Sequence, residues 1–203
     1  MSCLQRSACK CVSVFFKIMP VIELIAACIG LAYVILEYRA SWWLWIVGMA
    51  MSLLYIYIFA KVNCYAWALT YLYYLGANIY GIIVWKKNSE EDTNSGICML
   101  HRKYYSKLLG IVFLLTILIF FVLREYTESV IPLSEAFSTA LSVVGMWLLA
   151  KKYLQHWYIW LIVNAIYTIG SFYQGLYFSA ILFAVYYVVS LLGVVRWRKL
   201  AGK

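Results

Sequence analysis

Charge is scarce in this chain. Only 12% of its residues are charged and just two are histidine and two proline, against 66% hydrophobic and a mean hydropathy of +0.85. A soluble domain is about half apolar and a quarter charged, so this composition excludes an ordinary water-soluble globule and leaves a polytopic membrane protein. The scarcity of histidine and acid removes chemistry as well. His101 and His156 fall in or beside loops, and neither pairs with a second histidine or a carboxylate at metal-ligand spacing. Cys3, Cys9 and Cys11 crowd the N-terminal tail, while Cys28, Cys64 and Cys98 are scattered. That pattern indicates neither a disulfide framework nor a metal site. No phosphate-binding loop or nucleotide fold is present, so neither a cofactor nor direct ATP drive is expected. The net charge of +9 does not point to nucleic acid, because the basic residues cluster in loops and tails, where membrane topology uses them.

Long apolar runs are abundant. About twenty residues cross a bilayer as a helix, and seven spans are read at 20–37, 41–60, 64–85, 106–124, 131–150, 155–174 and 176–196. Most connections are short, so consecutive helices are expected as antiparallel neighbours. The exception is the segment from Lys86 to Tyr105, which holds Glu90, Glu91 and Asp92. Twelve of the seventeen lysines and arginines fall on the side of the C-terminus. The positive-inside rule therefore predicts a cytoplasmic C-terminus and an outside N-terminus.

The chain is internally repetitive. Each of its two prolines opens an apolar helix with a glutamate three residues on, Pro20 with Glu23 and Pro132 with Glu135, 112 residues apart. At the same offset Tyr65 matches Tyr177, Gly81 matches Gly193, and Trp85 matches Trp197. Trp42 and Trp45 match Trp157 and Trp160 at an offset of 115, which sets Met49 opposite Asn164. A duplicated three-helix unit follows. Two such units keep one orientation only if a further helix carries the chain back, which predicts an all-α membrane fold of 3+1+3 parallel repeats, as in SWEET-type transporters. The division is a tail over 1–19, a first repeat over 20–86, a cytoplasmic loop over 87–105, a linker helix over 106–124, and a second repeat over 131–199.

A substrate site is expected between the repeats. On a helix Trp157, Trp160 and Asn164 share one face; an amide at membrane depth marks a lined cavity, and aromatic faces suit a flat or cationic ligand. Trp42 and Trp45 are their expected counterparts. Tyr71, Tyr74 and Asn78 share a face of the third helix, which lines the pathway in this reading. Glu23 and Glu135, at the outer mouth, concentrate cations in this reading, against the plainer role of acids in a helix's first turn. Trp85 and Trp197, beside basic residues, read as interfacial anchors. Gly30, Gly76, Gly81, Gly145 and Gly193 read as close-packing contacts. An intramembrane enzyme is disfavoured, since the spans hold no carboxylate pair or histidine cluster away from the outer ends. A scaffold would not need duplicated tryptophan faces.

The Trp-x-x-Trp-x-x-x-Asn face, Tyr65-Ala66 and Tyr80-Gly81 bounding the third helix, Thr139-Ala140-Leu141-Ser142 followed by Lys151-Lys152, Gly175-Leu176-Tyr177, and the closing Gly193-x-x-x-Trp197-Arg198 together resemble the PnuC family of bacterial nicotinamide riboside transporters. The resemblance covers roughly 20–199. It implies a seven-helix facilitator of the bacterial inner membrane, assembled as a homotrimer, with the vitamin trapped by a cytoplasmic kinase. It also implies a ligand-binding role for the tryptophans and Asn164. Tyr71 and Met146 stand where glutamines are usual in the nicotinamide riboside branch, and the stretch Ser142 to Lys152 resembles the thiamine-transporting PnuT branch. Thiamine is thus the favoured substrate at this point and nicotinamide riboside the alternative. Both carry a fixed positive charge on an aromatic ring.

Overall fold

The computed structural model describes residues 19–61, 65–91, 96–126 and 131–201, with side chains left undescribed in parts of some helices. The described residues form seven α-helices: α1 (Met19–Tyr38), α2 (Trp43–Lys61), α3 (Tyr65–Glu91), α4 (Tyr105–Tyr126), α5 (Pro132–Ala150), α6 (His156–Tyr173) and α7 (Tyr177–Ala201). A short 3-10 turn, Arg102–Tyr104, leads into α4. The helical stretches Arg102–Glu125, Pro132–Ala150 and Tyr177–Ala201 are each long and apolar enough to cross a membrane.

The apolar runs set these elements, and local chemistry sets their ends. Pro132 occupies the first turn of α5, where its missing N–H is no loss, and Glu135 joins it there, favoured by the helix dipole. Gly175 has φ of 75° and turns the chain from α6 into α7 in a left-handed conformation that suits glycine. The largest departure from the expected spans is α3. Its apolar run stops at Trp85, but nothing in Lys86-Lys-Asn-Ser-Glu-Glu91 breaks a helix, so it continues to Glu91. Glu90 and Glu91 therefore end a helix rather than sit in a loop. Asp92 lies outside the described residues.

The residues after this helix are not a free loop either. Cys98 N–H donates to the Lys152 carbonyl at 3.1 Å, and Leu154 N–H donates to the Cys98 carbonyl at 3.0 Å. The Gln155 side-chain oxygen accepts from Leu100 N–H at 2.9 Å. The segment is thereby laid across the α5–α6 turn.

Helix neighbours follow a pattern. α2 packs on α3 and α6 on α7; α1 lies against α7, and α3 against α5. α4 packs against α5 and leaves Leu109, Phe113, Leu114 and Leu118 largely exposed. At the end of the bundle where α3 and α7 finish, Trp45, Trp85, Trp157 and Trp197 are all buried, with Leu44, Leu149 and Leu154 among them. This corrects the anchor reading of Trp85 and Trp197, which are 2% and 0% exposed. The cause is a pair of glycines. A Cβ at Gly81 would stand 2.5 Å from the Trp45 ring, and one at Gly193 would stand 2.6 Å from the Trp157 ring. Trp45 then meets Trp85 edge to face at 5.5 Å, and Trp157 meets Trp197 the same way at 6.0 Å.

Trp45 and Trp157 are themselves 112 residues apart. The offset of 115 from the sequence is thus replaced by the offset that governs the glycines. Gly48 takes the place opposite Trp160, and Ser52, not Met49, stands opposite Asn164.

Candidate functional site

Six helices, all but α4, enclose a cavity of about 300 Å³. Of the sequence-selected residues, Trp157, Trp160, Asn164, Tyr71, Tyr74, Asn78 and Met146 line it. Trp42 and Trp45 do not. Trp42 lies at the start of α2, half exposed, stacked on Trp43 at 4.5 Å, and Trp45 is sealed beneath Gly81. The three-residue slip had placed both one turn too far along. Glu135 is half-buried in the first turn of α5 and is not part of the wall. The side chain of Glu23 lies outside the described residues.

Small and aromatic residues shape the cavity, and most of its lining falls into pairs 112 apart, such as Ser52 with Asn164, Asn78 with Ser190, Tyr74 with Tyr186 and Val34 with Met146. Tyr71 stacks on Tyr55 at 4.6 Å, and at the matching positions Phe183 packs on Tyr167 at 5.0 Å. Asn164 Nδ2 donates to Ser190 Oγ at 3.2 Å, and Ser190 in turn donates to the Tyr186 carbonyl at 2.8 Å. Asn78 Nδ2 donates to the Tyr74 carbonyl at 2.7 Å. Its Oδ1 is buried and has no partner among the described residues. Gly48 gives it room, since a Cβ there would overlap that oxygen. A buried acceptor left unpaired costs free energy, so it is poised for a donor brought by a ligand.

The sequence reading missed the most consequential residue. Glu37, near the end of α1, is 2% exposed and lines the cavity. Its Oε1 accepts a hydrogen bond from Trp160 Nε1 at 2.6 Å and lies 3.3 Å from His156 Nε2. His156 therefore corrects the expectation of an unpaired loop histidine: it is fully buried, and its Nδ1 is 2.7 Å from the Tyr153 carbonyl. A weak signal existed, because Gly30, Tyr33 and Glu37 recur at helical spacing on one face of α1 and all three line the cavity. Among the described lining residues none is lysine or arginine, so Glu37 gives the wall its only formal charge. Serine hydroxyls at 52, 142 and 190 were likewise not singled out.

The described residues hold no cluster of three or more histidines, cysteines or acids able to bind a metal. Tryptophan and tyrosine faces, two amides, a carboxylate and small hydroxyls can hold a flat, positively charged, hydrogen-bonding molecule.

Comparison with known proteins agrees with that chemistry. The family model described as nicotinamide mononucleotide transporter matches residues 20–199. The chain is 23% identical over 195 residues to the nicotinamide riboside transporter PnuC of Escherichia coli (strain K12), covering 84% of this chain and 80% of that protein. PnuC of Shigella flexneri matches with the same identity and coverage. The fold is similar to the crystal structure of the vitamin B3 transporter PnuC, with a TM-score of 0.69 and 19% identity over 98% of this chain and 90% of that one. A match over this much of its length makes the chain a multi-pass membrane transporter, not an enzyme, and it belongs to the nicotinamide mononucleotide transporter family.

Proposed function

We propose that the protein carries nicotinamide riboside across the bacterial inner membrane, binding it in the cavity against Trp157, Trp160 and Asn164, with Tyr71, Tyr74, Asn78 and Met146 completing the wall. The observation that carries this reading is the charge of the cavity: one carboxylate, aromatic faces, and no lysine or arginine among its described lining residues. A pyridinium gains cation–π attraction of about 0.5–2 kcal/mol from such rings, the more so when water is excluded. A mononucleotide would bring a phosphate that no basic side chain meets, and burying an unpaired anion is costly. The riboside therefore suits the cavity better than the phosphorylated form. The relatives from Escherichia coli and Shigella flexneri, both nicotinamide riboside transporters, point the same way.

The carboxamide N–H of the riboside suits Asn78 Oδ1, and its ribose hydroxyls suit Asn164 and the serines. Transport is read as facilitated diffusion, with the two three-helix units, α1–α3 and α5–α7, related by an axis along the membrane normal and rocking to expose the site to each side in turn. The pairing of lining residues at an offset of 112 supports two equivalent halves. Phosphorylation by a cytoplasmic kinase would trap the product, since the return path offers the phosphate nothing. A homotrimer with an outside N-terminus belongs to the same reading, as does a cation-gathering role for Glu23 and Glu135.

Thiamine is the second reading. Tyr71 and Met146 line the cavity and offer less hydrogen bonding than amides there would. Uptake of labelled nicotinamide riboside, thiamine and nicotinamide mononucleotide into liposomes holding the purified protein separates the three. The expected result is saturable riboside uptake that excess mononucleotide does not inhibit. Saturable thiamine uptake alone would overturn the riboside assignment.

A further inference from the structure

The cavity is walled by two matching halves, and one cluster beside it has no match. At the offset of 112, Glu37 answers to Leu149, His156 to Leu44 and Trp160 to Gly48. The polar trio Glu37, His156 and Trp160 therefore stands in one place only. Its counterpart is a glycine and two leucines, both 0% exposed. Lining pairs such as Tyr74 with Tyr186 and Asn78 with Ser190 keep a ring or a hydrogen-bonding group in each half. Such pairs tell the two ends of a ligand apart only weakly. The trio does so strongly, because it confines the charge of the wall to one side.

The carboxylate at its centre is thinly supported. Glu37 is buried, and its Oε1 accepts from Trp160 Nε1 at 2.6 Å. His156 Nε2 is 3.3 Å from the same oxygen but makes no hydrogen bond among the described residues, and its Nδ1 lies 2.7 Å from the Tyr153 carbonyl. Lys152 and Arg196 lie over the rings of Trp85 and Tyr38, at 4.9 and 4.8 Å, and neither lines the cavity. Both polar contacts of Glu37 run through Oε1, which leaves Oε2 for a ligand. A buried carboxylate whose hydrogen bond comes from a neutral donor is unfavourable until a cation reaches it. The same bond fixes the Trp160 indole, so a planar cation against that ring meets the π-face and the carboxylate together.

We infer that Glu37 makes the cavity select the charged, oxidised nicotinamide ring over its uncharged dihydro form, and that it sets which way round the ligand lies, with the ring at Trp160. This rests on the reading that the cavity takes nicotinamide riboside. The two forms share the carboxamide and the ribose and differ by one hydride on the ring. Asn78, Asn164 and the serines therefore treat them alike. Glu37 and the aromatic faces read charge, and the carboxylate is the stronger reader, since an ion pair in a low-dielectric site exceeds a quadrupole contact. Nothing but the vitamin is carried, in keeping with facilitated diffusion.

The test is calorimetry of the intact purified protein near neutral pH with nicotinamide riboside and with its 1,4-dihydro form. The oxidised form is expected to bind more tightly by about tenfold or more. Glu37→Gln keeps the volume of the side chain and an acceptor for the Trp160 N–H, and is expected to cut the ratio to about threefold or less, the part the rings supply. Asn78→Ala is the control: it should weaken both forms alike and leave the ratio standing, whereas general damage to the site would move both forms in either variant. Equal affinity for the two forms in the unaltered protein would overturn the inference while leaving the site reading intact, and that comparison decides even where Glu37→Gln fails to fold. A ratio that survives in folded Glu37→Gln would overturn it too. Binding of neither form would overturn the site reading along with it.

Discussion

Adding one methyl group at Gly193 tests how the site is built. The new Cβ would stand 2.6 Å from three atoms of the Trp157 ring. That ring is 1% exposed and is hemmed in by His156 at 4.8 Å and Trp197 at 6.0 Å, so it has little room to retreat. Overpacking of this kind costs about 1–3 kcal/mol. Alanine in place of glycine gives back up to about 1 kcal/mol through helix propensity. The control is Gly76→Ala on α3, where a Cβ meets nothing within 4 Å and only the propensity gain remains. Thermal unfolding in detergent should therefore separate Gly193→Ala from Gly76→Ala by about 1–3 kcal/mol. Because Trp157 lines the cavity, Gly193→Ala should also weaken ligand binding, by about tenfold for each 1.4 kcal/mol of displaced contact. Gly81→Ala should match its loss of stability through Trp45, which is outside the cavity, and leave affinity nearly unchanged. Equal midpoints for Gly193→Ala and Gly76→Ala would refute the seating of the tryptophans on the glycines, and with it the offset of 112 that relates the two halves.

Trp160→Phe keeps a ring on the cavity wall but removes the N–H that Glu37 accepts; a hydrogen bond to a charged group is worth about 1.5–3 kcal/mol, and a denaturant titration should show a loss of that order. Asn78→Ala deletes the unpaired Oδ1, so riboside affinity measured by calorimetry should fall about tenfold, that of a bond left unmade. Trp42→Ala, at an exposed ring outside the cavity, should change affinity by less than about twofold. Glu135→Gln should raise the half-saturation for uptake at low salt and not at high salt, because a charge at the mouth acts on an approaching cation through a field that salt screens; an unchanged value at low salt removes the outer-mouth role.

Much of the fold was legible because hydrophobic length is a local signal. The seven runs became seven helices with ends shifted by one or two residues, except at the C-terminal ends of α3 and α7, where the membrane limits apolar composition but does not end a helix. The face of Trp157, Trp160 and Asn164 was legible for the same reason: helical periodicity puts them together whatever the rest of the chain does. Glu37 was not legible. A glutamate two residues before Arg39 at the end of an apolar run looks solvated, and only α6, 123 residues away in sequence through Trp160, buries it. Trp85 and Trp197 were misread for a related reason, since their burial depends on glycines and tryptophans of neighbouring helices. The offset of 115 arose from matching tryptophans to each other, when the feature the two halves share is a tryptophan seated on a glycine.

The most direct test of the central claim, that the cavity between α1–α3 and α5–α7 is the binding site for a cationic vitamin, is the affinity of nicotinamide riboside for the purified protein and for Asn164→Ala. Asn164 hydrogen-bonds Ser190 on the neighbouring helix α7, and its loss removes both an amide contact and that positioning. Binding to the unaltered protein, weakened at least tenfold in a variant that unfolds at a similar temperature, is the predicted result. Equal affinity in the two proteins would contradict it.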